Sequence, residues 1–242
     1  MSTSSSFPDL VLALHGTRSA AGQLVGAELA AAVADRLPDV RVRLGWADVL
    51  TPTLTETLTG LGDAVVVPGF LTAGYHVTSD LPAAIRAAGG HARLAGLIGP
   101  GLIAAVADRL RTAGDPADAV VLAAAGSRRR QSVREVGDAA RELTRRLGCP
   151  VVPAFLTAAQ PGVADAVAGL RALGHARVAV ASYLLAPGVF ADRLHQVGAD
   201  VVSDPIGVHR LVVEAVADAY AAVVTEQRDV PGIAGPAGER IA

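Results

Sequence analysis

A single cysteine, Cys149, stands in a chain of 242 residues, which excludes an internal disulfide framework and a cysteine metal cage. Lysine is missing altogether, so all 21 basic residues are arginine. Arginine grips carboxylates in a fork and could serve an anionic ligand, although genome composition is the favoured reading of a lysine-free, alanine-rich chain. An excess of one charge is also absent. The formal net charge is -2 at pH 7, without the basic footprint of a nucleic-acid binder. Hydrophobic residues make up 51%, inflated by alanine, yet no uninterrupted apolar run approaches the eighteen or so residues that cross a bilayer. The opening MSTSSSFPD has no basic segment and leads straight into an apolar run, so no secretory signal is read there and the cytoplasm is the expected compartment. Phosphate-binding signatures are lacking too. No GxxxxGK[ST] segment occurs, and the first glycine turn, GTRSAAG, lacks the GxGxxG spacing of a nucleotide-dependent oxidoreductase.

What is present is alternation. Apolar strand-like runs over 10–14, 40–46, 64–70 and 92–98 interleave with helical patterns over 23–37, 52–61, 79–88 and 102–112, with Pro52 suited to a helix's first turn. A second set follows: strands over 119–124, 151–155, 177–183 and 200–203, helices over 132–147, 163–173, 190–196 and 210–225. The two sets are copies. LVLALHGTRS from Leu10 aligns with VVLAAAGSRR from Val120, VVVPGFLTAGYH from Val65 with VAVASYLLAPGVF from Val178, and LIGPGLIAAVADRL from Leu97 with PIGVHRLVVEAVADAY from Pro205. The expected fold is α/β: two duplicated flavodoxin-like units, each a four-stranded parallel sheet flanked by helices. The polar stretch TAGDPAD marks the boundary, giving halves 1–113 and 114–226, and the Pro- and Gly-rich residues 227–242 read as a disordered or loosely docked tail.

A four-strand unit of this kind commonly has order 2-1-3-4, which places the first strand beside the second and third. His15 ends the first strand, Asp48 follows the second and His76 the third, so all three share the ligand-binding rim. Two imidazoles and a carboxylate suit a first-row divalent ion, and an incomplete coordination sphere suits a metal in transit. Simpler roles fit each residue as well. His15 can cap its strand, His76 can bond Asp80 or a backbone carbonyl, and Asp48 can serve as a cap or turn acceptor. In the second copy Ala125 replaces His15 and Phe190 replaces His76.

HGTR after the first strand, PGFLTAGYHVTSDLP after the third and the inexact duplication together resemble the sirohydrochlorin and anaerobic cobalt chelatases, the ATP-independent type-two tetrapyrrole chelatases. The resemblance covers residues 10–224 and implies that His15 and His76 are metal ligands, with Asp48 where that family more often has glutamate. It implies insertion of a divalent metal substrate, Fe²⁺ or Co²⁺, into a tetrapyrrole with no nucleotide. The reading favours iron and sirohydrochlorin for siroheme synthesis over cobalt for a cobalamin precursor, or over a non-catalytic tetrapyrrole or metal carrier. A ligand with eight carboxylates calls for donors around the cleft between the halves. Thr17, Arg18, Ser127 and Arg128 to Arg130 could supply them, at least one of the three arginines being a solvated helix start. Gly16, Gly74 and Gly126 would let backbone approach a flat macrocycle, and His209 would face the same cleft. One histidine pair per chain lets a monomer suffice, with a dimer as the alternative. Neither nucleic acid nor membrane is an expected partner.

Overall fold

The computed structural model describes residues 7–114 and 117–228; the tail assignment for 229–242 lies outside the described residues. The first half runs β1 (Asp9–Leu14), α1 (Ala20–Arg36), β2 (Val42–Trp46), α2 (Leu54–Leu58), β3 (Ala64–Pro68), a π-helical turn (His76–Asp80), α3 (Leu81–Ala87), β4 (Ala92–Leu94), a 3-10 turn (Gly99–Gly101) and α4 (Ile103–Ala113). The second runs β5 (Ala119–Ala124), α5 (Arg130–Leu147), β6 (Val151–Phe155), α6 (Val163–Ala172), β7 (Val178–Tyr183), α7 (Val189–Leu194), β8 (Val201–Val202) and α8 (Arg210–Arg228). Both sheets are wholly parallel, ordered β2-β1-β3-β4 and β6-β5-β7-β8, the order expected from the crossover rule.

Strand β1 shows how the layers arise. Leu10, Leu12 and Leu14 point to a central core, while Val11 and Ala13 point the other way and meet Leu54, Leu58, Leu81 and Ile85 of α2 and α3. In the second sheet Val120, Leu122 and Ala124 join the same central core, while Val121 and Ala123 face α6 and α7. Period-two side chains buried on both faces make the continuous apolar runs of parallel strands. Between the sheets, α4 packs on β7 and β8 of the second half, and α8 packs on β3 and α1 of the first. Polar ties follow the same exchange. Arg109 of α4 donates from Nε and Nη2 to the Ile206 carbonyl at 2.9 and 2.7 Å, and Tyr220 of α8 donates to the Pro8 carbonyl at 2.7 Å.

Element ends depart from expectation where local chemistry overrides periodicity. Pro52 does not enter the first turn of α2: Thr53 caps that helix, its hydroxyl accepting from Glu56 N–H while Glu56 accepts from Thr53 N–H. This capping box sets the start at Leu54, two residues beyond the proline. Strand β4 stops at Leu94, well short of residue 98, and the chain turns so that Gly99 seats against Leu71. Helix α8 continues to Arg228, past residue 225. Among the described residues no helix is long and apolar enough to cross a membrane.

Gly99 is required by contact. A Cβ there would lie 1.9 Å from the Leu71 carbonyl oxygen, whereas one on Gly101 would meet nothing within 4 Å. Gly99→Ala is expected to lower the unfolding free energy by about 1–3 kcal/mol in urea titrations, and Gly101→Ala to stay within about 0.5 kcal/mol of the parent. Equal effects of the two would show that the Leu71 contact yields freely.

Candidate functional site

The site is made at strand ends. His15 follows β1 directly, and Gly16 turns the chain with φ 98° in a conformation that disfavours a side chain. A Cβ at Gly16 would also lie 2.1 Å from the Asp48 carbonyl, and Gly126 repeats both properties against Thr157. From β3 the chain runs through Phe70 to Tyr75 and enters the π-helical turn at His76. Such turns recur at functional sites. Here the turn brings Asp80 back onto His76, with Nδ1 to Oδ2 at 2.6 Å. With the carboxylate ionised and the ring neutral, Nδ1 donates and the Nε2 lone pair remains for a ligand.

The two histidine rings meet across the rim with centroids 4.3 Å apart and planes inclined at 47°. Phe70 lies beside both, 6.4 Å from His15 and 6.3 Å from His76. His15 is exposed and His76 partly so. Two adjacent imidazoles with open space beyond can hold a divalent ion while leaving other positions free. Among the described residues no set of three His, Cys, Asp or Glu side chains is arranged to hold a metal ion.

Asp48 therefore does not join the pair as expected. Its backbone is adjacent, with Asp48 N–H donating to the His15 carbonyl at 2.9 Å. Its carboxylate instead accepts the N–H of Val49 at 2.8 Å, the turn-acceptor role. The alternative that His76 bonds Asp80 is realised, and it is compatible with ligation because a second group commonly orients a metal-binding histidine.

A cleft of about 990 Å³ opens between the halves above this pair. Gly16, Thr17 and Gly74 line one wall, and Gly126, Ser127 and Arg128 line the other, joined by Arg129. Ala125 and Phe190, the counterparts of the histidines, also face it. Arg18 does not line it: Thr17 Oγ1 accepts from Ser19 N–H and Ser19 caps α1, a tight turn that leaves Arg18 exposed. Arg130 is the first residue of α5 and is exposed. His209 turns away as well, its Nε2 3.4 Å from Asp108 of α4 and its Nδ1 accepting from Leu211 N–H, because α8 packs across the other half.

Several contributors carry no sequence signal. Tyr183 is buried, and burial followed by the Glu135 charge pushes its phenol far above the usual range, so it remains a neutral donor. It donates to the carbonyls of Gly99 and Leu71 at 3.3 and 3.4 Å. Ser132 donates to Thr72 Oγ1 at 2.8 Å, and Glu135 accepts from Ala73 N–H at 2.7 Å. These are contacts between residues some sixty or more positions apart, which spacing alone does not show.

Fold and cleft define a class: duplicated parallel α/β proteins that present one histidine pair at the strand ends of the first unit. The CbiX family model matches residues 9–113 and again 119–223. The chain belongs to the CbiX family, and the resemblance read from HGTR and PGFLTAGYHVTSDLP is borne out. A sirohydrochlorin cobaltochelatase of Methanococcoides burtonii is 34% identical over 77 residues, which is 30% of this chain and 59% of that relative's length. The structure of SirB from Bacillus subtilis with Fe³⁺ matches at TM-score 0.79 and 21% identity, covering 93% of this chain and 98% of that one. The sirohydrochlorin chelatase SirB from Bacillus subtilis subspecies spizizenii in complex with cobalt matches at TM-score 0.77 and 20% identity, over the same shares. Those structural likenesses bear out the expected fold, two four-stranded parallel sheets flanked by helices.

Anaerobic calorimetric titration with Co²⁺ is expected to give one site per chain, lost in His15→Ala and in His76→Ala. Asp80→Asn should weaken it about 10–100-fold, the usual cost of removing a group that orients a ligand histidine. Asp48→Ala should cost less than either histidine change. Retained affinity in both histidine variants would place the metal elsewhere.

Proposed function

We propose that the chain inserts a divalent metal into sirohydrochlorin without a nucleotide, as a sirohydrochlorin chelatase. The observation that carries this reading is the His15–His76 pair, 4.3 Å apart at the mouth of a cleft whose opposite wall presents Arg128 and Arg129. Membership in the CbiX family and the name of the Methanococcoides burtonii relative support it.

Metal insertion exchanges one M²⁺ for two pyrrole protons, and it requires water to leave the metal. His15 and His76 hold the ion through exchangeable imidazole nitrogens, and the two lone pairs freed as the ion passes to the macrocycle accept the two displaced pyrrole protons. Asp48, whose backbone adjoins His15, assists the ion only by electrostatics. Across the cleft, Arg128 and Arg129 grip ligand carboxylates as forks, with Thr17 and Ser127 as hydroxyl donors. Gly16, Gly74 and Gly126 keep the walls thin where the macrocycle lies flat, and Arg18 attracts the anionic ligand from outside the cleft. Residues 1–113 carry the chemistry and 114–226 the counter-wall, so one chain contains a whole site and a monomer suffices.

Iron is the proposed physiological metal, for siroheme. Cobalt is the second reading, favoured by the cobaltochelatase name of the matched relative. Imidazole ligands accept either ion, and selection then follows geometry and supply.

An anaerobic metallation assay with sirohydrochlorin separates these readings. Insertion above the spontaneous rate is expected with both ions and faster with Fe²⁺, whereas faster insertion of Co²⁺ would favour the second reading. Either rate should fall at least about 100-fold in the His15→Ala, His76→Ala double variant, since removing the acid–base group alone commonly costs 10²–10⁴. Stoichiometric binding without turnover would make the protein a carrier. Ala125→His should leave activity and metal stoichiometry unchanged, because Phe190 occupies the position of a second ligand.

A further inference from the structure

The half in which Ala125 and Phe190 replace the histidine pair makes three successive contacts with the loop that delivers His76. Tyr183 of β7 donates to the Leu71 carbonyl, Ser132 of α5 donates to Thr72 Oγ1, and Glu135 of α5 accepts from Ala73 N–H. From Ala73 the restraint passes on through the backbone. The Gly74 carbonyl accepts both the N–H and the hydroxyl of Thr78, at 3.3 and 3.1 Å, and Thr78 lies inside the turn that begins at His76. Beyond the buried Ala73, Gly74 has open space where a side chain would be and Tyr75 is exposed, so that stretch has little packing of its own to set its path.

Of the three contacts, the one at Ala73 is the shortest and is charge-assisted, the kind that orients most strongly. Gln131 steadies the other oxygen of Glu135 from one turn earlier on α5, at 3.0 Å. The same helix begins just after Arg128 and Arg129, which face the cleft.

We propose that Glu135 is a positioning residue for the metal site: it sets the place of His76 relative to His15 by anchoring the loop at Ala73, so the second half takes part in metal binding without supplying a ligand. The inference rests on the reading of His76 as a ligand. Because α5 starts at the arginine wall, carboxylates held there and the histidine loop bear on one rigid element.

The test uses the full chain, comparing wild type with Glu135→Ala, Glu135→Gln, Ser132→Ala and Tyr220→Phe. Glutamine keeps a carbonyl oxygen for Ala73 N–H, and alanine does not. Co²⁺ affinity should fall about 10–100-fold in Glu135→Ala, with an altered cobalt visible band, and stay within about threefold in Glu135→Gln. Ser132→Ala should shift both readouts the same way by less. Tyr220→Phe loses a tie between the halves remote from the loop and should change neither, which separates positioning from general stability. In the metal-free proteins the His76 imidazole resonances should move in Glu135→Ala and hold in Glu135→Gln. Wild-type affinity and spectrum in Glu135→Ala, with unmoved resonances, would overturn the proposal. Resonances that move in Glu135→Ala, together with a wild type that takes up no Co²⁺, would leave the bracing standing and remove the metal reading instead.

Discussion

Each half of this protein ends in a helix that is buried against the sheet of the other half. Leu102, Val106 and Leu110 in and just before α4, and Val212, Val216 and Tyr220 in α8, belong to one core that also holds the inner faces of both sheets. Each large apolar side chain so buried stabilises by about 1.5–3 kcal/mol, so drawing the halves apart would expose many such groups together. Polar ties follow the same exchange, from Arg109 to Ile206 and from Tyr220 to Pro8. The cleft between the halves is therefore a slot of set width. Two domains joined only by a linker would be expected to move against one another.

That slot separates what duplication kept from what it dropped. Gly16 and Gly126 both have φ near 97°, and at each an added Cβ would strike a carbonyl of the neighbouring strand's loop. They persist in both copies because the backbone requires them. The histidines answer no such requirement: Ala125 and Phe190 occupy the same places in a half that folds the same way, with strand orders that match copy for copy. The histidine pair thus stands on one wall, and the other carries arginine, hydroxyl and apolar surface.

Between the walls the second half also acts at a distance. Ser132 and Glu135 hold the loop before His76, while the helix that bears them opens onto the arginine side of the cleft. In the proposed metal site a histidine pair on two loops needs such support, since imidazoles must stand within a fraction of an ångström to share an ion.

Strand positions, sheet order and the His15–His76 pair were legible in the sequence because they follow from short-range rules. Apolar runs separated by helical periods become parallel strands, crossovers are right-handed, and residues after consecutive strands reach one rim. Rotations around those positions were not legible. Asp48 lies beside His15 along the backbone, yet its carboxylate turns onto Val49 N–H; Arg18 faces out because Ser19 caps α1; the capping box of Thr53 and Glu56 leaves Pro52 outside its helix. Those outcomes are set by competing local hydrogen bonds of similar strength. His209, Glu135 and Tyr183 depend on more. Their partners lie in the other half, brought near only when α4 and α8 cross between the sheets. The sequence by itself determined the repeated α/β pattern and the histidines at its strand ends, since both are properties of neighbours along the chain. The shared core, the width of the cleft and the bracing of His76 were decided by tertiary structure alone, since they are contacts between distant segments that local pattern does not encode.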